Sequence, residues 1–489
     1  QVISAVLYCI LAAGTVFGYA ALKPILIEER VYRELCTQQE LDKNVHVCVE
    51  QEIRLNLVFT LAVVGTNVSA LPVGAILDKY GPRICGFISS AFLTIGALLL
   101  AYSAELRFDS YLIGYFFLAI GGCFLYVPSL HLGNSIPNHS GLVMALIAGS
   151  FDSSSVVFLA YQKLYFGNSV VFGLKQLFMA YLIVPIFIFW VQATIMPKES
   201  YKVTRELVKQ ADENRTSINQ ATETTALLRE EYLEQDVSIA TQNVDDIASK
   251  LTPVKDMQRG NGNETFGECG AIHEKTLQSQ ICSPWFLLIT LFTIIQMIRI
   301  NYFIATIRPQ YEYILGSYEE AIKINSIFDT TLPLGGLIAV PLVGMILDNL
   351  SIFSIYSLLL VTTTMIGVLG CLPFKWSAYL NVFAFVLYRP FYYTAVSDFV
   401  AKIFGFRTFG TVYGLLISFA GVFNLTANGL DKLRYNIFKK NPIPINLFLL
   451  TFALLIGTGL VIYAKSKSNE MNRRNLESAE ENFENALVE

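Results

Sequence analysis

The sequence predicts an all-α membrane protein of twelve transmembrane helices arranged as two six-helix halves. Three observations predict it. Of the 489 residues, 54% are hydrophobic and only 15% are charged; a soluble domain carries about a quarter charged residues, so this chain has too few to coat a water-exposed surface of its size. Apolar runs of about 20 residues, the length a helix needs to cross a bilayer, recur along the chain. A pair of short motifs also repeats at nearly one offset in the two halves. Outer-membrane strands would be about ten residues long and alternating, which these runs are not.

The first half, residues 1–196, holds six runs: Val2–Leu22, Leu55–Leu77, Ile84–Tyr102, Ser110–Leu130, Leu142–Tyr161 and Phe178–Met196. The first lacks a basic leader and is long enough to span, so it does not read as a cleavable signal peptide. Gln1 already stands inside this apolar run, and residues upstream are therefore expected. Residues 197–283 form a linker rich in Asn, Gln, Glu and Thr with few large apolar residues, a composition expected to be disordered. The second half, residues 284–466, holds Trp285–Ile307, Ile322–Leu347, Phe353–Gly370, Leu380–Val400, Phe409–Leu430 and Ile445–Tyr463, followed by a polar tail, 467–489.

Val73-Gly74-Ala75-Ile76-Leu77-Asp78 closes span two, and Val343-Gly344-Met345-Ile346-Leu347-Asp348 closes span eight, 270 residues later. Gly141-Leu142-Val143 opens span five, and Gly410-Thr411-Val412 opens span eleven, 269 residues later. A parallel repeat of two six-helix halves is the mark of transporters with a substrate site at mid-membrane between the halves. The net charge of −4 offers no basic field for nucleic acid. Four histidines and eight scattered cysteines show no metal-ligand spacing, so no metal, cofactor or enzymatic centre is expected.

The run Gly74-Ala75-Ile76-Leu77-Asp78-Lys79-Tyr80-Gly81-Pro82-Arg83 resembles the signature loop between helices two and three of the major facilitator superfamily. Gly74 would permit close helix approach, and Asp78 would sit against a helix N-terminus of the other half with Arg83 nearby. Such a contact is a gate latch, with Asp348 as its partial copy. A narrower resemblance rests on Val16-Phe17-Gly18-Tyr19, on Glu50-Gln51-Glu52 with Leu55-Asn56-Leu57, on Leu71-Pro72-Val73-Gly74, and on Ile298-Arg299-Ile300. These are similar to the facilitative L-type neutral amino-acid transporters of solute carrier family 43, which also contains a purine-nucleobase facilitator. Phe151-Asp152-Ser153-Ser154-Ser155 is closer to the nucleobase branch. The resemblance implies facilitated diffusion of a small neutral solute, and it places the linker in the cytosol.

Charged side chains at mid-membrane must face a cavity or a partner. Arg299, on one helical face with Gln296, is expected either to hold a substrate carboxylate or to make a structural bridge. Asp152 is expected to accept a substrate ammonium or purine N–H groups, or to pair with an arginine of the other half; Ser154 would accompany it. Arg389 and Tyr392 share a face of span ten, with cavity wall and aromatic packing as the alternatives. Tyr19 is a further cavity-lining candidate. Asp152 and Asp329 keep a proton-coupled symporter open, and a non-transporting nutrient sensor would use the same pocket.

Cys36 and Cys48 lie in the long loop after span one, on the side opposite the linker. On an oxidising side they would form a short disulfide, and otherwise remain two thiols. Within the linker, Glu223, Leu227 and Leu228 resemble an acidic dileucine signal read by a sorting adaptor. That points to a vacuolar or lysosomal membrane, with the plasma membrane as the alternative. The expected partners are then a small-molecule substrate, the lipid bilayer and that adaptor.

Overall fold

The computed structural model describes residues 1–38, 48–136, 139–167, 173–197, 276–405 and 407–488. Glu223, Leu227 and Leu228 lie outside these residues. Among the described residues eight helices are long and apolar enough to cross a membrane unaided, and two bent pairs bring the count to ten. The remaining two of the twelve spans fail that test for physical reasons. One, Lys375–Phe404, is long but carries Arg389, Asp398 and Lys402. The other, Phe409–Asn424, is apolar but short and continues as Thr426–Asn436.

In chain order the N-terminal half comprises α1 (Val2–Ala13 and Thr15–Glu28), α2 (Val49–Tyr80), α3 (Pro82–Ala101), α4 (Ser110–Ser135), α5 (Ser140–Gly167) and α6 (Leu174–Thr194). The C-terminal half comprises α7 (Pro284–Leu315), α8 (Tyr318–Asn349), α9 (Ile352–Leu369), α10 (Lys375–Phe404), α11 (Phe409–Asn424) and α12 (Ile443–Val488). Polar caps start several of them. The side chains of Asp109, Ser283, Ser317 and Ser351 each accept a backbone N–H of the first turn of α4, α7, α8 and α9. Six spans per half return the chain to the linker side after α6 and again after α12.

Two spans bend sharply, α1 and α8, the latter by 49° between Gly336 and Ile338, just after Pro333. α1 bends by 45° where a π-helical turn, Cys9–Ala13, meets a 3₁₀ turn, Thr15–Gly18. A Cβ on Gly14, at the bend, would stand 2.6 Å from the Phe151 carbonyl oxygen, so the missing side chain lets α1 press against α5. α5 breaks in turn after Ser153, one turn from that contact.

On the side away from the linker, Cys36 and Cys48 are joined in a disulfide. Beside it, Arg54 pairs with Asp109 at 2.7 Å, and the Tyr32 hydroxyl donates to the same carboxylate. Burial and that hydrogen bond push the Tyr32 phenol above its ordinary pKa. These contacts tie the loop after α1 to the starts of α2 and α4.

Candidate functional site

At the linker-side end, Asp78 of α2 accepts from the first backbone N–H groups of α11, Gly410 at 2.9 Å and Thr411 at 2.6 Å. Asp348 of α8 accepts in the same way from Gly141 at 2.7 Å and Leu142 at 3.2 Å, the start of α5. A helix N-terminus presents unpaired N–H groups and a partial positive charge, so a carboxylate is its natural partner. Each motif of the sequence repeat therefore docks on the other motif, across the two halves. Gly74 lies one turn above Asp78, where a Cβ would fall 1.8 Å from the Gly410 carbonyl oxygen. Arg83 is not part of this contact. Its guanidinium donates to the Met196 carbonyl at 3.0 Å and 2.5 Å, inside its own half, because the turn at Gly81 starts α3 facing the end of α6.

From these latches the halves stay in contact up to mid-membrane. The Ser418 hydroxyl of α11 donates to the Asn67 carbonyl of α2 at 3.1 Å, and the Ser153 hydroxyl of α5 donates to the Pro333 carbonyl of α8 at 3.1 Å. Gly336 abuts Gly149 and Asp152. At this level Asp152 of α5 and Arg389 of α10 form an ion pair at 3.0 Å, with side chains 3% and 8% exposed. The pair joins the two halves. Arg389 also stands 5.7 Å from the Tyr393 ring centroid. Its Nε makes no hydrogen bond, so this buried pair still has bonding capacity to spare. Phe151 packs beside it against Phe17 of α1 and Tyr126 of α4, with centroids 5.5 Å and 4.5 Å away.

Asp329 and Ser326 lie one and two turns beyond Pro333 on the α8 face that meets α5, and both are exposed together with Thr330. Asn325 donates to Asp329 at 2.6 Å. A row of polar side chains on a span does not face lipid. Ser326, Asp329 and Thr330 therefore form an exposed polar face of α8 toward the side away from the linker.

The other expected site residues are placed elsewhere. Arg299 turns toward α9, within its own half: Nη1 donates to Gln296 at 3.1 Å and Nη2 to the Thr363 carbonyl at 3.3 Å. Gln296 is buried and donates to the Thr363 hydroxyl at 3.3 Å. Tyr392 is buried inside the C-terminal half and donates to the Thr293 carbonyl at 3.0 Å. Tyr19 donates to the Leu55 carbonyl at 2.7 Å and stacks on Phe59. Ser154 donates to the Phe151 carbonyl at 2.6 Å, closing the break in α5. Sequence reasoning missed Thr363, Asn381, Tyr388 and Asn446, which surround Arg299. Isolated polar residues within apolar spans nine, ten and twelve were the available signal.

Two helical halves latched to each other at one end, with a charged pair between them at mid-membrane, define a membrane transporter. The sequence profile of the Major Facilitator Superfamily matches residues 8–428, and the chain belongs to that superfamily. Among curated relatives, Protein FMP42 of Saccharomyces cerevisiae is 43% identical, covering 98% of this chain and 97% of its own. Large neutral amino acids transporter small subunit 3 of Homo sapiens is 25% identical, covering 92% and 90%. A solved structure of the proton:xylose symporter XylE superposes with a TM-score of 0.60 at 14% identity, covering 95% of each chain, and shares the fold.

Proposed function

We propose that the protein is a uniporter for large neutral amino acids, and that the Asp152–Arg389 pair is what their backbone atoms engage. The observation that carries this reading is a buried pair that bridges the halves with donor capacity left over. A zwitterionic amino acid offers both replacement charges at once. Its carboxylate takes the Arg389 guanidinium, whose fork matches two carboxylate oxygens, and its ammonium takes Asp152. Removing one member of a buried pair costs about 3–5 kcal/mol, because the other charge is left stranded. A zwitterion avoids that cost while separating the two residues, and so releases the halves to rock. Phe151, Phe17 and Tyr393 would border the amino-acid side chain. The likeness to the human large neutral amino-acid transporter supports the substrate class.

In this reading the carboxylate role expected for Arg299 passes to Arg389, since Arg299 faces α9. The purine-nucleobase reading needs the serines after Asp152 to read ring groups. Ser153 and Ser154 instead donate to backbone carbonyls, which favours the amino acid. Residues 1–196 and 284–466 would be the rocking bodies, and the dileucine signal would route the carrier to a vacuolar or lysosomal membrane. Uptake into proteoliposomes of purified protein tests the function, with labelled leucine and adenine run in parallel, each with and without a pH gradient. Leucine flux indifferent to the gradient and lost in Arg389→Gln is expected. Full leucine flux in Arg389→Gln, or adenine flux alone, would overturn the reading.

A further inference from the structure

Arg299 sits in a second site, separate from the Asp152–Arg389 pair. Its guanidinium keeps its charge in any protein setting, yet its two hydrogen bonds, at 3.1 Å and 3.3 Å, go to neutral oxygens. Among the described residues no carboxylate forms an ion pair with it. Beside it lies a small cavity of about 50 Å³, room for a carboxylate group, lined by Arg299, Asn381, Tyr388, Asn446, Ile366 and Phe385. The cavity's polar wall has unused capacity. The Tyr388 hydroxyl accepts from Thr363 at 2.8 Å and keeps its own proton for another acceptor. These residues come from α7, α9, α10 and α12, so the cavity belongs to the C-terminal half alone and does not depend on how the halves rock. Asn381 and Asn446 stand in the first two turns of α10 and α12, and the cavity therefore leads from Arg299 toward the side away from the linker.

We propose that this cavity seats the carboxylate group of a ligand whose apolar tail extends out of it. One guanidinium with neutral donors balances a single negative charge, whereas a phosphate dianion would call for a second cation. Ile366, Phe385, Phe303 and Leu449 supply the apolar part of the lining beside the carboxylate. Two sources share this chemistry: an acyl carboxylate from the adjoining leaflet, and an amino acid whose carboxylate enters from water. The inference does not rest on the transport reading, because the site shares no residue with Asp152 and Arg389.

The test is equilibrium binding to purified full-length protein in nanodiscs, with octanoate, leucine and octylamine as separate probes. Octanoate should bind the wild type and the Asp152→Asn variant alike, and lose about tenfold or more in affinity in Arg299→Gln, as expected for a lost charge-assisted contact. Leucine binding that survives Asp152→Asn but is lost in Arg299→Gln would support the site with the aqueous source. Should Arg299→Gln fail to fold, Asn381→Leu decides, with weakened octanoate binding expected. Octanoate binding unchanged in either cavity variant, no binding of either carboxylate, or octylamine binding as tight as octanoate would overturn the proposal.

Discussion

At the linker-side end, Asp78 on α11 and Asp348 on α5 make one contact twice, whereas at mid-membrane Asp152 and Arg389 meet once. The sequence offset makes this difference concrete. Carried by that offset, Asp152 falls on Gly421 and Arg389 on Ala119, and neither can hold a charge. Closing and opening is common to both halves, so duplication serves it well. Recognising an asymmetric solute requires two different groups, so the duplicated pattern has to be broken there. The pair stands at this break.

The largest expected effect follows from the unduplicated contact. Asp152→Ala or Arg389→Ala strands a buried charge between the halves and should lower stability by about 3–5 kcal/mol. The double variant Asp152→Asn with Arg389→Gln should recover most of that loss in a thermal melt, yet leave leucine uptake abolished. Recovery of uptake along with stability would make the pair a structural fastener and nothing more.

Gly74→Ala comes next. Its Cβ would meet the Gly410 carbonyl oxygen at 1.8 Å, a backbone atom that cannot move aside without separating α2 from α11. The variant should stay open on the linker side. A cysteine placed at Ala70, buried against Gly414, should then react readily with a reagent applied from that side, and exchange of leucine should stop. Protection equal to the wild type would break the assignment of this contact as the closed gate.

The duplicated latches should behave as equals. Asp78→Asn and Asp348→Asn each remove a charge from a helix N-terminus, worth up to about 2 kcal/mol in partly buried geometry. Each should favour linker-side opening, read by the same Ala70→Cys labelling, and the two should add. A strong inequality would show that one latch carries the gate and that the repeat is only historical.

The latches were legible in the sequence because a motif and its copy stand at loop ends, where a carboxylate and a helix start are read without knowing any side-chain direction. The twelve spans were legible from apolar length, although α10 was so only by its position between neighbours. Arg299 and Arg83 show where such reading stops. Both are cations at or within a span, and their bearing depends on helix rotation. Lipid and helix interior are equally apolar, so hydropathy does not set that rotation. The bend in α1 and the break in α5 depend on each other, since Gly14 and Ser154 meet only once both helices have folded.

The smallest expected effect belongs to Asp329, a second unduplicated carboxylate, which the offset sets against Phe59. It is exposed, bonded to Asn325, with no cation paired to it among the described residues. A carrier driven by protons needs a carboxylate that is exposed to one side and then to the other, and Asp329 has the position for it. A uniporter has no use for that proton. Asp329→Asn should therefore leave leucine flux nearly unchanged and equally indifferent to an imposed pH gradient, measured in the same proteoliposomes. Gradient-driven accumulation in the wild type that vanishes in Asp329→Asn would assign this residue to the coupling mechanism. It would also show that the repeat is broken at two places for two purposes, one for the solute and one for the ion.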